Sequence, residues 1–207
     1  SATLPLPDVC QASAIPGSAV RVEGHRDTRY FPGTEAMDET EAIVEDAVSV
    51  LFGLTDDYEV SAQPHAATQA NHAVWRAFLC PGDLVFGLAL EDGGHISHIL
   101  SLPDGVTFEP IPLQTSGGID YGALHSACIS RGPKAIIAGG SSYPLGINYQ
   151  RLSQTAKACG AYLHADLAHS AAHVAAGAHP PAAPYADTIA IDASKTLRGS
   201  KGGVLAF

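Results

Sequence analysis

Apolar positions along the chain recur with two different periods. Over residues 38–52, Ile43, Ala47, Val50 and Leu51 fall on one helical face. Acids crowd the first half of that stretch and Gly53 is placed to end it. Over residues 68–80 a second helix is expected. Thr68 serves as its N-cap, Ala70, Val74, Ala77 and Phe78 as its apolar stripe, and Pro81-Gly82 as its stop. Residues 121–131 and 149–159 complete the helical set, the latter closed by Gly160. Between these lie short apolar runs at 84–90, 107–113, 134–138, 161–165, 187–193 and 204–207, too short for helices and read as strands. Strand and helix alternate from residue 84 onward, which predicts an α/β fold: a mainly parallel sheet with helices on both faces. Residues 1–37, rich in Pro, Gly and small side chains, read as an irregular N-terminal segment with one short helix near residues 9–14. Residues 175–184 read as a loop.

Composition narrows the function class. The 207 residues are 46% apolar, ample for one core, and carry a formal net charge of -10 with the acids spread out. A nucleic-acid surface needs a basic patch, and a membrane anchor needs a polybasic or long apolar stretch. Neither is present, and no apolar run approaches roughly 18 residues. Nothing near Ser1 resembles a signal peptide, and Cys10, Cys80, Cys128 and Cys159 form no C-x-x-C pair. A reducing cytoplasm with free thiols is the expected setting. The start at Ser1 without a methionine and the close on an apolar run, Val204 to Phe207, lead us to expect a fragment.

Candidate chemistry concentrates between His164 and Gly203. Asp166 ends the apolar run at 161–165, and Lys195 follows the run at 187–193. Both therefore sit at or just past the carboxyl ends of strands, where open α/β sheets build sites. A carboxylate and an amine so placed suit pyridoxal phosphate: the amine carries the cofactor and the carboxylate keeps its ring nitrogen protonated. Taken alone, each residue is better read as something ordinary, Asp166 as a helix N-cap and Lys195 as a solvated surface lysine. The histidines offer another reading. His169 and His173 are four apart, with His164 and His179 nearby, and on a helix such a pair can bind zinc. The HExxH glutamate is missing and no fourth ligand stands out, so no metal is expected.

The segments Asp166-Leu167-Ala168-His169, Val174-Ala175-Ala176-Gly177 and Lys195-Thr196-Leu197-Arg198-Gly199-Ser200-Lys201-Gly202-Gly203 carry a resemblance. Their order and sequence resemble the serine hydroxymethyltransferase family, pyridoxal-phosphate enzymes of the aspartate-aminotransferase-like fold. The resemblance implies that residues 38–207 are the cofactor-binding large domain, cut before the family's smaller C-terminal domain. That domain supplies the arginine for the substrate carboxylate, and nothing in this chain matches it.

Residue by residue, the resemblance implies the following. Lys195 holds the cofactor and Asp166 its ring nitrogen. His95, in Gly93-Gly94-His95, stacks on the ring, and Ser141 hydrogen-bonds its phenolic oxygen. His169 lies close to the cofactor. Thr68 at a helix N-terminus binds the phosphate, and Ser194 stands where members have a histidine beside it. Glu23, in Glu23-Gly24, is the acid/base group of the aldol step. Tyr30, in Arg29-Tyr30, and Ser1 touch substrate, and the Glu23 and Tyr30 segment reaches into a partner subunit's site, hence a homodimer. Arg21, Phe31, Ala66-Ala67 and Ser194 depart from the family pattern. The implied reaction is hydroxymethyl transfer between serine and glycine, with tetrahydrofolate as a possible co-substrate. The departures keep open a threonine aldolase or transaldolase, or a non-catalytic domain.

Overall fold

The computed structural model describes residues 3–14 and 20–207. Among the described residues, seven strands form one sheet: β1 (Val60–Ser61), β2 (Leu84–Gly87), β3 (Thr107–Pro110), β4 (Ala135–Gly139), β5 (Tyr162–Asp166), β6 (Thr188–Asp192) and β7 (Gly203–Ala206). Their order is β1-β7-β6-β5-β4-β2-β3. The five strands from β2 to β6 are parallel to their neighbours. β7 runs antiparallel to β6, and β1 antiparallel to β7. This is the expected α/β fold with a mainly parallel sheet. β4 and β6 are buried at every residue. That is why they read as unbroken apolar runs rather than alternating ones.

Successive residues of a strand point to opposite faces, and each face has its own core. Ile137 packs with Val74, Trp75, Leu79 and Val85, residues of or near α3 (Ala67–Phe78) and β2. Ile136 packs on the other side with Leu124 of α5 (Tyr121–Arg131) and Leu152 of α6 (Tyr149–Cys159). Helices α5 and α6 keep their expected limits, because each has a side-chain N-cap and a left-handed Gly closing it: Asp120 and Gly132 for α5, Asn148 and Gly160 for α6. No described helix is long and apolar enough to cross a membrane. The four cysteines are free thiols.

Several expectations need correction. Helix α2 (Glu35–Phe52) starts earlier than residue 38, and its buried residues are Val48 and Phe52. Ile43, Val50 and Leu51, expected to face the core, are exposed. The helix carries two adjacent apolar stripes. The one spaced 44-48-52 contains Phe52, the largest apolar group available, and Val44 joins it against the core. Val48→Ala should accordingly cost about 2 kcal/mol, at about 0.8 kcal/mol per buried CH₂. Val50→Ser should change stability by less than about 0.5 kcal/mol. Urea unfolding of the two variants separates the stripes. If Val50→Ser is the costlier change, the burial pattern is wrong.

The irregular N-terminal segment contains α1 (Pro7–Ser13), close to the expected short helix. The two-residue β1 and the short helices α4 (Ser97–Leu100) and α7 (Ala171–Ala175) were not expected. Helix α3 has Ala66, not Thr68, as its N-cap, and its buried face includes Asn71 and Trp75 while Ala77 is exposed. The Gln69 side chain accepts from the His65 N–H at 2.6 Å and closes that end instead.

Candidate active site

The parallel register brings the chemistry to one edge. Gly139 pairs with Asp166 and Asp166 with Ala190, so β4 and β5 end level and β6 runs two residues further, to Asp192. Asp166 ends β5 and is buried. Its Oδ2 accepts from Asn71 Nδ2 at 2.7 Å and from His98 Nε2 at 2.8 Å, and its Oδ1 accepts from the Ala168 N–H at 2.9 Å. Burial by itself raises the carboxyl's pKa. The hydrogen bonds and charge of His98, with Asn71 and the Ala168 amide, outweigh burial and hold it far below the usual carboxylate range. Asp166 is thus an anion. Three of the roughly four lone-pair sites of a carboxylate are filled, leaving one for a further donor.

His95 follows the β2 turn, just before α4. Its Nδ1 lies 2.7 Å from Ser97 Oγ and accepts from the Ser97 N–H at 3.2 Å. Burial is the largest influence on its pKa and pushes it down. The loop carrying it is locked to the loop after β4: Gly93 O accepts from the Ser141 N–H at 2.8 Å and the Ser142 N–H at 3.1 Å. Gly140 is needed for this approach, since a Cβ there would lie 2.4 Å from Gly93 O.

Lys195 lies just past β6 and keeps a partly exposed amine. Its Nζ is 3.1 Å from His169 Nε2 and 3.8 Å from Asp192 Oδ2. Burial, then the Lys195 charge, lowers the pKa of His169. The neutral ring therefore accepts from the ammonium. The Ser194 hydroxyl donates to Asp192 Oδ1 at 2.7 Å, and the Ser194 N–H to the same oxygen at 3.0 Å. Asp192 was not among the sequence candidates, although it ends an apolar strand just as Asp166 does. Ser141 lines a cleft of roughly 310 Å³ with His169, Thr196, Tyr143 and Val174.

Asp166, His95, His169 and Lys195 thus form one neighbourhood. The His95 and His169 rings stand 6.4 Å apart, and His98, between His95 and Asp166, is 5.8 Å from the His95 ring. Thr68 sits exposed in the first turn of α3, where the Ala67 and Thr68 N–H groups have no backbone partner among the described residues. The last glycine of the Lys195 motif explains how β7 reaches that turn: a Cβ on Gly203 would lie 2.4 Å from the Ala66 carbonyl carbon.

Other candidates lie apart. Glu23 lines a separate cavity with Arg21, Arg29, Gln63 and His65, and Tyr30 is 81% exposed. Arg29 ties that loop to α2, donating to Asp38 at 2.7 Å and pairing with Glu41 at 2.8 Å. Ser1 lies outside the described residues.

The zinc-like histidine face does not form. His169 precedes α7, His164 is buried inside β5, and His173 packs against His179 with ring centroids 5.2 Å apart. The described His and Asp atoms that do converge, within 4.8 Å, belong to His95, His98 and Asp166.

Sequence reading missed four of the polar residues around Asp166 as site members: Asn71, Ser97, His98 and Thr188. Asn71 had a signal, as a polar residue on the apolar face of α3 beside Ala70 and Val74.

A family model described as serine hydroxymethyltransferase matches residues 7–207. Three curated relatives of that name are similar to the chain. The one from Ralstonia nicotianae is 39% identical over 186 residues, 88% of this chain and 44% of the relative. That from Thiobacillus denitrificans is 38% identical over 202 residues, 96% of this chain and 48% of the relative. That from Cupriavidus necator is 39% identical over 186 residues, with 88% and 44% covered. The chain spans about half the length of the curated relatives it matches.

Proposed function

The chain belongs to the serine hydroxymethyltransferase family, and we propose that it serves pyridoxal-phosphate-dependent hydroxymethyl transfer between serine and glycine. One observation carries the reading. A buried carboxylate, held ionised with one acceptor site left, shares a sheet edge with a partly exposed lysine amine. That donor set fits pyridoxal phosphate. When bound, the cofactor supplies an electron sink for breaking a bond at the α-carbon of an amino acid.

The chain's own groups divide the remaining work. Asp166 offers its last acceptor site to the ring N–H. Lys195 provides the amine that carries the cofactor, and His169 holds that amine in place. His95 presents a flat, neutral ring as a stacking surface, and Ser141 a hydroxyl beside the same cleft. The free N–H groups and dipole of α3, with Thr68, suit a phosphate, and Ser194 borders the lysine on that side. Glu23 would manage the proton of the substrate hydroxyl. Glu23 and the exposed Tyr30 lie away from Lys195, which supports their serving the site of a second copy in a homodimer. Tetrahydrofolate as the one-carbon acceptor and a cytoplasmic setting complete the proposal.

The test is spectroscopic. Pyridoxal phosphate added to the purified chain should give a visible absorption band that borohydride abolishes, leaving cofactor mass on the Lys195 peptide alone. Label scattered over several lysines, or no band, would overturn the reading. A positive result should be followed by glycine formation from serine that depends on tetrahydrofolate.

A further inference from the structure

Behind Asp166 runs a buried hydrogen-bond chain whose directions can be worked out group by group. Asn71 is fully buried and its amide lies between two neighbours. On one side is Asp166 Oδ2 at 2.7 Å. An ionised carboxylate only accepts, so the Asn71 NH₂ must face it. The Asn71 carbonyl is then left facing His164 Nε2 at 2.9 Å, and that nitrogen must carry a proton. His164 is 1% exposed, and burial pushes its pKa down to about 3, so the ring is neutral. Its Nδ1 is therefore bare and accepts from the Thr188 hydroxyl at 2.8 Å. The register of β5 and β6 places His164 directly beside Thr188.

The chain also runs forward. The second Asn71 N–H donates to Ser97 Oγ at 3.0 Å. The Ser97 hydroxyl, having accepted there, donates to His95 Nδ1 at 2.7 Å, and the Ser97 N–H points at the same nitrogen. His95 is then neutral with its proton on Nε2, a nitrogen that makes no hydrogen bond to any described residue. Trp75 holds the assembly, its ring edge-on to His164 at 4.8 Å and its N–H 3.3 Å from the Ser97 carbonyl.

We propose that His164 and Thr188 are positioning residues of the site. Through Asn71 and Ser97 they complete a one-way hydrogen-bond chain that keeps His95 as its Nε2–H tautomer, with that N–H unpaired among the described residues. His164 anchors the Asn71 carbonyl, and Thr188 pairs the Nδ1 that the His164 ring leaves bare. Only the identity of what His95 faces rests on the cofactor reading. The tautomers exist without any cofactor.

The experiment is long-range ¹H–¹⁵N correlation NMR on histidine-labelled, cofactor-free chain near neutral pH, with resonances assigned by single His→Gln variants. His164 and His95 should both show the neutral Nε2–H pattern. An Nδ1–H or a protonated ring at either position overturns the proposal, whatever the variants do. His164→Leu should shift the His95 signals toward a mixture of tautomers and raise the Kd for pyridoxal phosphate about tenfold, since a buried acceptor is left unpaired. His164→Gln, whose amide N–H can stand in for Nε2–H, should restore both. Unchanged His95 signals in the leucine variant overturn the positioning role. If that variant does not fold, the isosteric Thr188→Val decides. It should move the His164 Nδ1 resonance to that of an unbonded nitrogen while Nε2–H persists, and no movement overturns the chain. Correct tautomers with no cofactor binding would sink the cofactor reading and leave this one standing.

Discussion

Lys195→Ala is expected to abolish borohydride-stable attachment of pyridoxal phosphate while leaving the fold intact. Among the described residues the amine makes two polar contacts, to His169 at 3.1 Å and Asp192 at 3.8 Å, and its side chain is 23% exposed. Partly solvated pairs of this kind contribute about 0–1 kcal/mol, so thermal unfolding should hardly move. The chemical effect has no such cushion, because among the described residues Lys195 is the one lysine in contact with His169 and Asp192. Turnover should fall by several orders of magnitude, as it does when an enzyme loses the group that carries its covalent step. Lys195→Arg sharpens the test. It keeps the positive charge near Asp192 and His169, but a guanidinium stays protonated and cannot attack a carbonyl carbon. If the arginine variant still retains cofactor after borohydride, the attachment lies elsewhere and the assignment of Lys195 fails.

The sequence made the sheet edge legible because two independent patterns coincide there. Buried parallel strands appear as short apolar runs, and a charged residue ending such a run stands at a strand's carboxyl end. Asp166 and Lys195 could be placed by that logic alone. Asp192 obeys the same rule but lay inside the run at 187–193 and was not singled out, since only the structure puts it within 3.8 Å of the lysine. The face of α2 was misread for a different reason. Two apolar stripes one residue apart have nearly equal claims from periodicity, and the choice between them is made by Phe52 packing with distant partners. Asn71, His164 and Thr188 could not be joined in advance, because Asn71 and His164 lie 93 positions apart and meet only when α3 packs on β5. A histidine inside an apolar strand and a threonine in the next strand were visible. Their pairing depends on the β5–β6 register, which no local pattern specifies.

The second large effect is expected at Asp166, and it joins stability to function. Asp166→Ala removes the acceptor of three donors at once: Asn71 Nδ2, His98 Nε2 and the Ala168 N–H. Each buried donor left unpaired costs about 1–3 kcal/mol, against about 5–15 kcal/mol for a whole domain. Urea unfolding should show the loss, and a variant within about 1 kcal/mol of the parent would mean the network is not formed in solution. Asp166→Asn keeps one accepting oxygen but turns an NH₂ toward existing donors. It should lose less stability, about 1–3 kcal/mol, yet bind the cofactor no better than the alanine variant, since the anion is gone. The same groups predict how stability depends on pH. His164 refuses a proton in the folded chain until about pH 3, whereas an unfolded histidine accepts one near pH 6.5. Between those values the unfolded state binds more protons, so stability falls as pH falls. His95 and His169 are shifted in the same direction and add to this fall. Below about pH 4, the unfolded value of an aspartate, Asp166 begins to act the same way, because its folded carboxyl stays ionised. Its contribution is whole above that pH and is lost as the solution becomes more acid. Unfolding followed from pH 7 downward should therefore lose stability in two stages. Asp166→Asn should flatten the acid stage only, and His164→Gln should soften the milder one. A parent protein equally stable at pH 7 and pH 5 would contradict the buried, neutral His164 on which the first stage depends.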